Sequence, residues 1–389
     1  MDAHDRILRD PVVALAPTDE GYLAYDSASA RLHRLNPTAA LILELSDGTR
    51  TAADVATQVG SLIGEGAQDG CTRWIETAIT DGLLKSLRPG DALPAEPPPH
   101  DFVLQASQLR SEGHVLAAFV CQHYATFLVG DEPDQWVALG ELAHIVGRRD
   151  DARDAYERYS ELAPGDAEVE QILVSLRDAP PPPRAPDRCI VQLYARFAEF
   201  YEQNMCADLE YQAPAKLAEA LDAELGATTE LDVVELGCGT GLAGQQLRRR
   251  ARHLVGIDLS PDMVARAAAT GLYDELEIAE LTEWLTRTRA AEFDLIAACD
   301  TLIYFGDLRQ VLMPASNRVR DGGRIAFTVE RGGNLPFQLT DSGRYVHTES
   351  HVRAAAHDAG LTVSSVTETV LRYEYGEPVA GLVVVLRRG

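Results

Sequence analysis

Val233-Val234-Glu235-Leu236-Gly237-Cys238-Gly239-Thr240-Gly241 decides how the C-terminal half of the chain is built. A short apolar run bearing one acid enters a loop with glycine at every second position, and helix-forming residues follow from Leu242, so the stretch reads as strand, tight loop, helix. Glycine takes Cβ out of the loop and lets backbone N–H groups come close to a ligand. Gly239-Thr240-Gly241-Leu242-Ala243-Gly244 also has the spacing G-x-G-x-x-G. That pattern is common, and its context rather than its spacing separates the possible ligands.

In a dinucleotide site the loop faces a pyrophosphate, which a carboxylate at Glu235 would repel. S-adenosylmethionine has no phosphate, and its sulfonium, ammonium and ribose diol all tolerate nearby acids. A second strand, His253-Leu254-Val255-Gly256-Ile257-Asp258, ends about 20 residues further on in an acid able to take both ribose hydroxyls. With E-L-G-C-G-T-G and G-I-D-L-S in the first two motif positions, the segment resembles the class I S-adenosylmethionine-dependent methyltransferases. The resemblance implies cofactor contacts from Glu235, Gly237, Cys238, Gly239 and Gly241, from Asp258 and Leu259, and from Met263 in D-L-S-x-x-M. It further implies contacts from Glu280-Leu281, where the family carries Asp-Leu, from Tyr211 and from Asp300. An aromatic helical stretch from Tyr194 to Tyr211, including Phe197, Phe200 and Tyr201, corresponds to the family's lid over the cofactor.

The remaining strands of this domain are expected at Glu277–Glu280, Phe293–Asp300 and Arg324–Glu330, the last introduced by an Asp321-Gly322-Gly323 turn, with Gly381–Leu386 as an antiparallel final strand. Alternation with helices predicts a doubly wound, Rossmann-like α/β sheet with ligands at its carboxyl end. F-D-L-I-A-A-C-D-T-L-I-Y-F-G-D-L, F-T-V-E, G-R-Y-V-H-T-E-S-H-V and L-R-Y-E-Y-G-E-P-V-A-G resemble bacterial methyltransferases fused to tetratricopeptide repeats.

Composition bounds the rest. A chain of 389 residues with 46% hydrophobic content suggests two or three domains. No apolar run approaches the ~18–20 residues of a membrane span and the charged start lacks a secretory core, so the expected location is the cytoplasm. The cysteines at 71, 121, 189, 206, 238 and 299 form no C-x-x-C pair, which predicts free thiols and no metal site. Sixty acids against 35 Lys+Arg argue against a nucleic-acid partner.

Residues 1–92 open with strand-like runs at Val12–Leu15, Gly21–Tyr25 and Arg31–Leu35, followed by helices after Asn36, after Thr49 or Thr51, and from about Gln68 to Leu84. This order, with R-L-H-R-L-N-P-T-A-A-L-I-L-E-L and D-G-T-R-T-A-A-D-V-A, resembles PqqD-like winged-helix α+β domains. It implies capture of a precursor peptide by strand addition. A generic winged helix with a structural or DNA-binding role is the alternative. After a linker at Asp91–Pro99, residues 100–178 show Trp136, Leu139, Gly140, Gly147, Ala152, Tyr156 and Pro164 at the offsets of a tetratricopeptide repeat. A weaker unit lies 34 residues earlier, at Phe102, Ala106, Gly113 and Ala118. A cap helix is expected at Asp166–Leu176, and the all-α segment serves as a spacer or a peptide groove. Pro180–Pro186 reads as a stiff linker, which places the methyltransferase domain at 187–389.

Methyl transfer from a sulfonium asks mainly for alignment, with a base only where the nucleophile holds a proton. The candidates on the acceptor side are Asp300 and Tyr304 after the fourth strand, Arg331 after the fifth, and Arg344 and His347 in a polar loop, His347 being the base candidate. N-P-P-Y is absent. The expected function is methylation of a ribosomally made precursor peptide, on a carboxylate oxygen, with Arg331 or Arg344 as counter-charge. The alternatives are a small-molecule methyltransferase with a docking module and a peptide chaperone that binds S-adenosylmethionine.

Overall fold

The C-terminal sheet is organised on β7 (Leu231–Leu236), whose Val233, Val234, Glu235 and Leu236 are all buried, as both faces of a central parallel strand require. Val234 and Leu236 enter one core with Ile257, Ile296 and Phe327. Val233 enters the other with Leu217, Leu254 and Leu295. The computed structural model describes residues 2–177, 180–198, 201, 205, 209–288, 290–374 and 376–389, so Phe200 and Cys206 lie outside the described residues. The described residues fall into two compact units, Met1–Pro164 and Gly165–Gly389.

In the second unit β7 is joined in parallel by β8 (Ala251–Asp258), β9 (Glu275–Ile278), β10 (Phe293–Ala298) and β11 (Val319–Arg331). The long strands β14 (Leu361–Glu374) and β15 (Glu377–Arg388) complete the order β14-β15-β11-β10-β7-β8-β9, with β15 antiparallel to β11. The short strands β12 (Phe337–Leu339) and β13 (Tyr345–His347) attach at the end of β11. The chain runs outward from β7 through β8 and β9, then restarts on the other side at β10. That reversal makes a crevice beyond the carboxyl end of β7.

Several expectations change here. Val319–Gly323 continues β11 with a break in register against β10 instead of forming a separate turn. The polar stretch before the last helix contains β13, where Tyr345 and His347 point into the core. Glu280 ends no strand but caps the helix Leu281–Thr286, accepting from Glu283 N at 2.8 Å. The helix Ala167–Leu176 belongs to this unit, where Gln192 Nε2 donates to Asp166 and Gln171 Nε2 to Gly343 O. The proline stretch is likewise no free spacer: Ala185 N donates to Tyr304 O at 2.8 Å and Gly306 N to Pro183 O at 2.9 Å.

The first unit holds a three-stranded antiparallel sheet, β2 (Val13–Thr18), β3 (Gly21–Asp26) and β4 (Arg31–Leu35). Asn36 and Thr51 cap helices α1 (Pro37–Leu45) and α2 (Ala52–Ile63), and α3 (Gln68–Thr80) follows. A second sheet joins β1 (Arg6–Arg9), β5 (Asp47–Thr51) and β6 (Leu84–Leu87). Its strands are only 4 or 5 residues long and lack the alternation that marks strands in sequence. Two helical hairpins follow, α4 (Pro99–Ser111) with α5 (Val115–Val129), and α6 (Pro133–Ile145) with α7 (Arg149–Leu162). Among the described residues no helix is long and apolar enough to cross a membrane.

Candidate active site

The crevice at the ends of β7, β8 and β10 is a cavity whose floor is the glycine loop. Gly237 and Gly239 line it, at φ of 70° and 53°. The two glycines are needed for different reasons. A Cβ on Gly237 would lie 2.3 Å from Thr301 Oγ1, whereas a Cβ on Gly239 would meet nothing within 4 Å and would project into open space. Thr301 locks the loop to the end of β10, its hydroxyl donating to Leu236 O at 3.0 Å. Asp258 lines the cavity from the end of β8 and accepts from Gly239 N at 2.8 Å and Ser260 N at 2.9 Å. Burial raises its pKa against these bonds. A carboxylate has about four lone-pair sites, so capacity remains for a diol.

Leu259, Met263, Glu280 and Leu281 also line the cavity, with Ile190 and Tyr194 from the helix Asp187–Phe197 and with Tyr201. Tyr194 and Tyr304 share a 2.9 Å hydrogen bond between hydroxyls, and burial pushes the Tyr304 phenol up to about 12. Asp300 lines the wall next to Cys299, with its backbone in the left-handed region at φ 52°.

Other expected residues lie elsewhere. Glu235 is buried behind the loop, accepting from Tyr273 Oη at 2.6 Å, and burial raises its pKa to about 8. The Tyr273 ring takes up the space that side chains at Gly244 and Gly256 would need, so the third glycine of the G-x-G-x-x-G serves packing. Cys238 is buried and Gly241 turns the loop at φ 98°, neither lining the cavity. Tyr211 stops at Cys299, its hydroxyl 3.5 Å from Sγ.

On the acceptor side the revisions are larger. His347 is fully buried, and its Nε2 lies 2.9 Å from Phe305 O and 3.1 Å from Gly306 O, so that nitrogen carries the proton and donates. Burial, then the neighbouring His351, lowers its pKa to about 4. It does not line the cavity and is not placed to act as a base there. Arg331 is exposed and meets Glu368 at 3.2 Å. Arg344 donates to Glu330 at 2.8 Å and to Glu374 at 2.7 Å. The guanidinium that does line the cavity belongs to Arg184, in the proline stretch, paired with Asp187 and 3.9 Å from Glu280. Sequence reasoning missed Arg184, Thr301 and Tyr273. The arginine inside the proline run was the only one of the three with a local signal.

A doubly wound sheet with an antiparallel last strand, an open glycine floor and an acid at the end of the second strand are the features of the class I methyltransferase fold, and a cavity lined by Asp258, Glu280 and Asp300 suits the net-cationic S-adenosylmethionine. The C-terminal unit thus has the class I methyltransferase fold. Residues 234–325 match the family model of a methyltransferase domain, Methyltransf_12. The chain is 28% identical over 164 residues to a malonyl-[acyl-carrier protein] O-methyltransferase of Pseudescherichia vulneris, covering 42% of this chain and 62% of that one. It is 29% identical over 96 residues to a ubiquinone biosynthesis O-methyltransferase of Xylella fastidiosa, covering 24% and 39%. It thus spans less than two thirds of the length of these relatives. Among solved structures, an S-adenosylmethionine-dependent methyltransferase from Mesorhizobium loti aligns with TM-score 0.36 and 23% identity, over 44% of this chain and 96% of that one.

Proposed function

We propose that this chain methylates a carboxylate oxygen on a peptide captured by its N-terminal unit. The observation that carries the choice of acceptor is the set of ionisable groups on the cavity wall. Among the described residues no histidine lines it, the Tyr304 phenol is pushed up to about 12, Glu280 caps a helix, and Asp258 and Asp300 are held by hydrogen bonds from Gly239 N and Arg372, so no lining group is free to act as a strong base. A carboxylate acceptor needs none, because it is already ionised at pH 7. S-adenosylmethionine, when bound, supplies an electrophilic methyl group on a sulfonium. The chain's own residues do the rest: Asp258 holds the ribose hydroxyls, Tyr194, Tyr201 and Tyr304 exclude water, and Arg184 offsets the acceptor's charge in place of Arg331 and Arg344.

For the peptide, the support is strand β4. Among the described strands it pairs only with β3, so one row of its backbone donors and acceptors is available to an added strand. The named relatives are O-methyltransferases, which agrees with an oxygen acceptor.

The full chain, S-adenosylmethionine and a candidate precursor peptide are incubated and the peptide is weighed. A gain of one CH2 that alkali removes is expected. An alkali-stable gain overturns the carboxylate, and a methylated small molecule with no peptide product favours the docking-module reading. No product with peptide binding intact leaves the chaperone. Arg184→Gln raises the acceptor KM by roughly 10-fold or more, the scale of a charge-assisted hydrogen bond, with the cofactor KM little changed.

A further inference from the structure

Behind the cavity wall lies a cluster of five charged side chains that the mechanism above does not use. Arg372, whose side chain is 4% exposed, donates through Nη1 to Asp300 Oδ2 at 2.8 Å, through Nε to Glu374 at 2.7 Å, and through Nη2 to Glu330. Arg344 closes the cluster on Glu330 and Glu374. Arg372 and Glu330 are buried, Arg344 and Glu374 half-buried, and of the five only Asp300 lines the cavity. Two features set Asp300 apart. Its backbone is left-handed at φ 52°, a conformation uncommon for non-glycine residues that aspartate tolerates better than most. Its Oδ1 has only a 3.5 Å contact from Thr328 Oγ1, so one carboxylate oxygen retains acceptor capacity while the other is clamped.

Resting on the S-adenosylmethionine reading, we infer that Arg372 is a positioning residue for the amino-acid end of the cofactor: it clamps Oδ2 of Asp300 so that Oδ1 receives the cofactor's ammonium. Topology sets the direction. β8 and β10 flank β7 on opposite sides, so a ligand whose ribose meets Asp258 extends its other end across the glycine loop toward Asp300. The two guanidinium groups against three carboxylates leave the cluster one negative charge, which favours the ammonium of the zwitterionic amino-acid end over its carboxylate at this position. A lysine at 372 could neutralise part of this charge but not hold three carboxylates at once, because the planar fork is specific to arginine.

The test uses the full chain and two probes in calorimetry: S-adenosylhomocysteine, which carries the ammonium, and 5′-methylthioadenosine, which lacks the whole amino-acid arm. Arg372→Gln and the near-isosteric Asp300→Asn are each expected to weaken S-adenosylhomocysteine by roughly 10- to 100-fold and methylthioadenosine by less than about threefold. Arg372→Lys falls between Arg372→Gln and wild type. Equal weakening of both probes by Asp300→Asn and Arg372→Lys makes the cluster merely structural and overturns the inference, as does no weakening of either. If wild type binds neither probe, the cofactor reading itself fails. Asp300→Asn keeps the test decisive should Arg372→Gln not fold.

Discussion

Glu235 shows how one residue can sit in a recognisable motif and do something other than touch the ligand. Its carboxyl is buried with a single hydrogen bond from Tyr273 Oη, and burial raises its pKa to about 8 against that bond, with Asp258 adding to the rise. The unfolded value is near 4.5, so the folded state favours the neutral form. Stability from this group is therefore fully present below about pH 4.5, declines as the unfolded chain ionises, and is lost as pH passes about 8. Glutamine keeps the shape and the acceptor without the charge. Glu235→Gln should leave Tm unchanged at pH 4 and raise it at pH 8 by roughly 2–8 °C, the shift of 1–2 kcal/mol in a unit of this size. S-adenosylhomocysteine affinity should stay within about threefold, because Glu235 is not on the cavity wall. Thermal melts across that range check the first expectation; a flat wild-type profile would contradict it.

At the scale of elements, the helical hairpin α6–α7 closes on a glycine. A Cβ at Gly140 would lie 2.6 Å from the ring of Tyr156, which is 2% exposed and cannot swing away into solvent. Helix propensity alone would make Gly140→Ala favourable by about 1 kcal/mol. Overpacking a buried seam costs about 1–3 kcal/mol, so the clash should win and the substitution destabilise the first unit. Chemical denaturation of the full chain would show this as a lower midpoint for the transition of that unit, with S-adenosylhomocysteine binding by the other unit unchanged. A stabilised variant would mean that the helices can separate at no cost.

For the whole molecule, the place where the methyltransferase unit begins is a quantitative question. Starting at residue 187 removes Ala185 and Pro183, which bond the Tyr304–Gly306 loop, and Arg184, which lines the cavity. It also removes the helix Ala167–Leu176, packed on the helix that opens at Asp187. A fragment covering 165–389 should fold cooperatively and bind S-adenosylhomocysteine with a Kd within about threefold of the full chain. One covering 187–389 should lose two backbone hydrogen bonds and an apolar contact, a cost of roughly 2–4 kcal/mol, and bind at least about tenfold more weakly. Equal binding by the two fragments would show that the proline stretch is a linker after all.

The sequence by itself determined the parts whose physics is local. The strand, glycine loop and helix from Val233, the second acid at Asp258, the caps at Asn36 and Thr51, and the small residues at Gly140 and Ala152 all follow from spacing, backbone freedom and side-chain volume within a few residues. From these the doubly wound fold and its cofactor end were legible. Tertiary structure alone decided the acceptor side. Arg372 reaches Asp300 across 72 residues and Arg184 reaches Glu280 across 96, while His347, polar in a polar stretch, is turned inward by the alternation of β13. Which charge meets which, and which side of a strand faces a cavity, depends on how distant strands pair. A one-residue change of register would reverse both, and which distant strand supplies the partner is settled only when the sheet assembles.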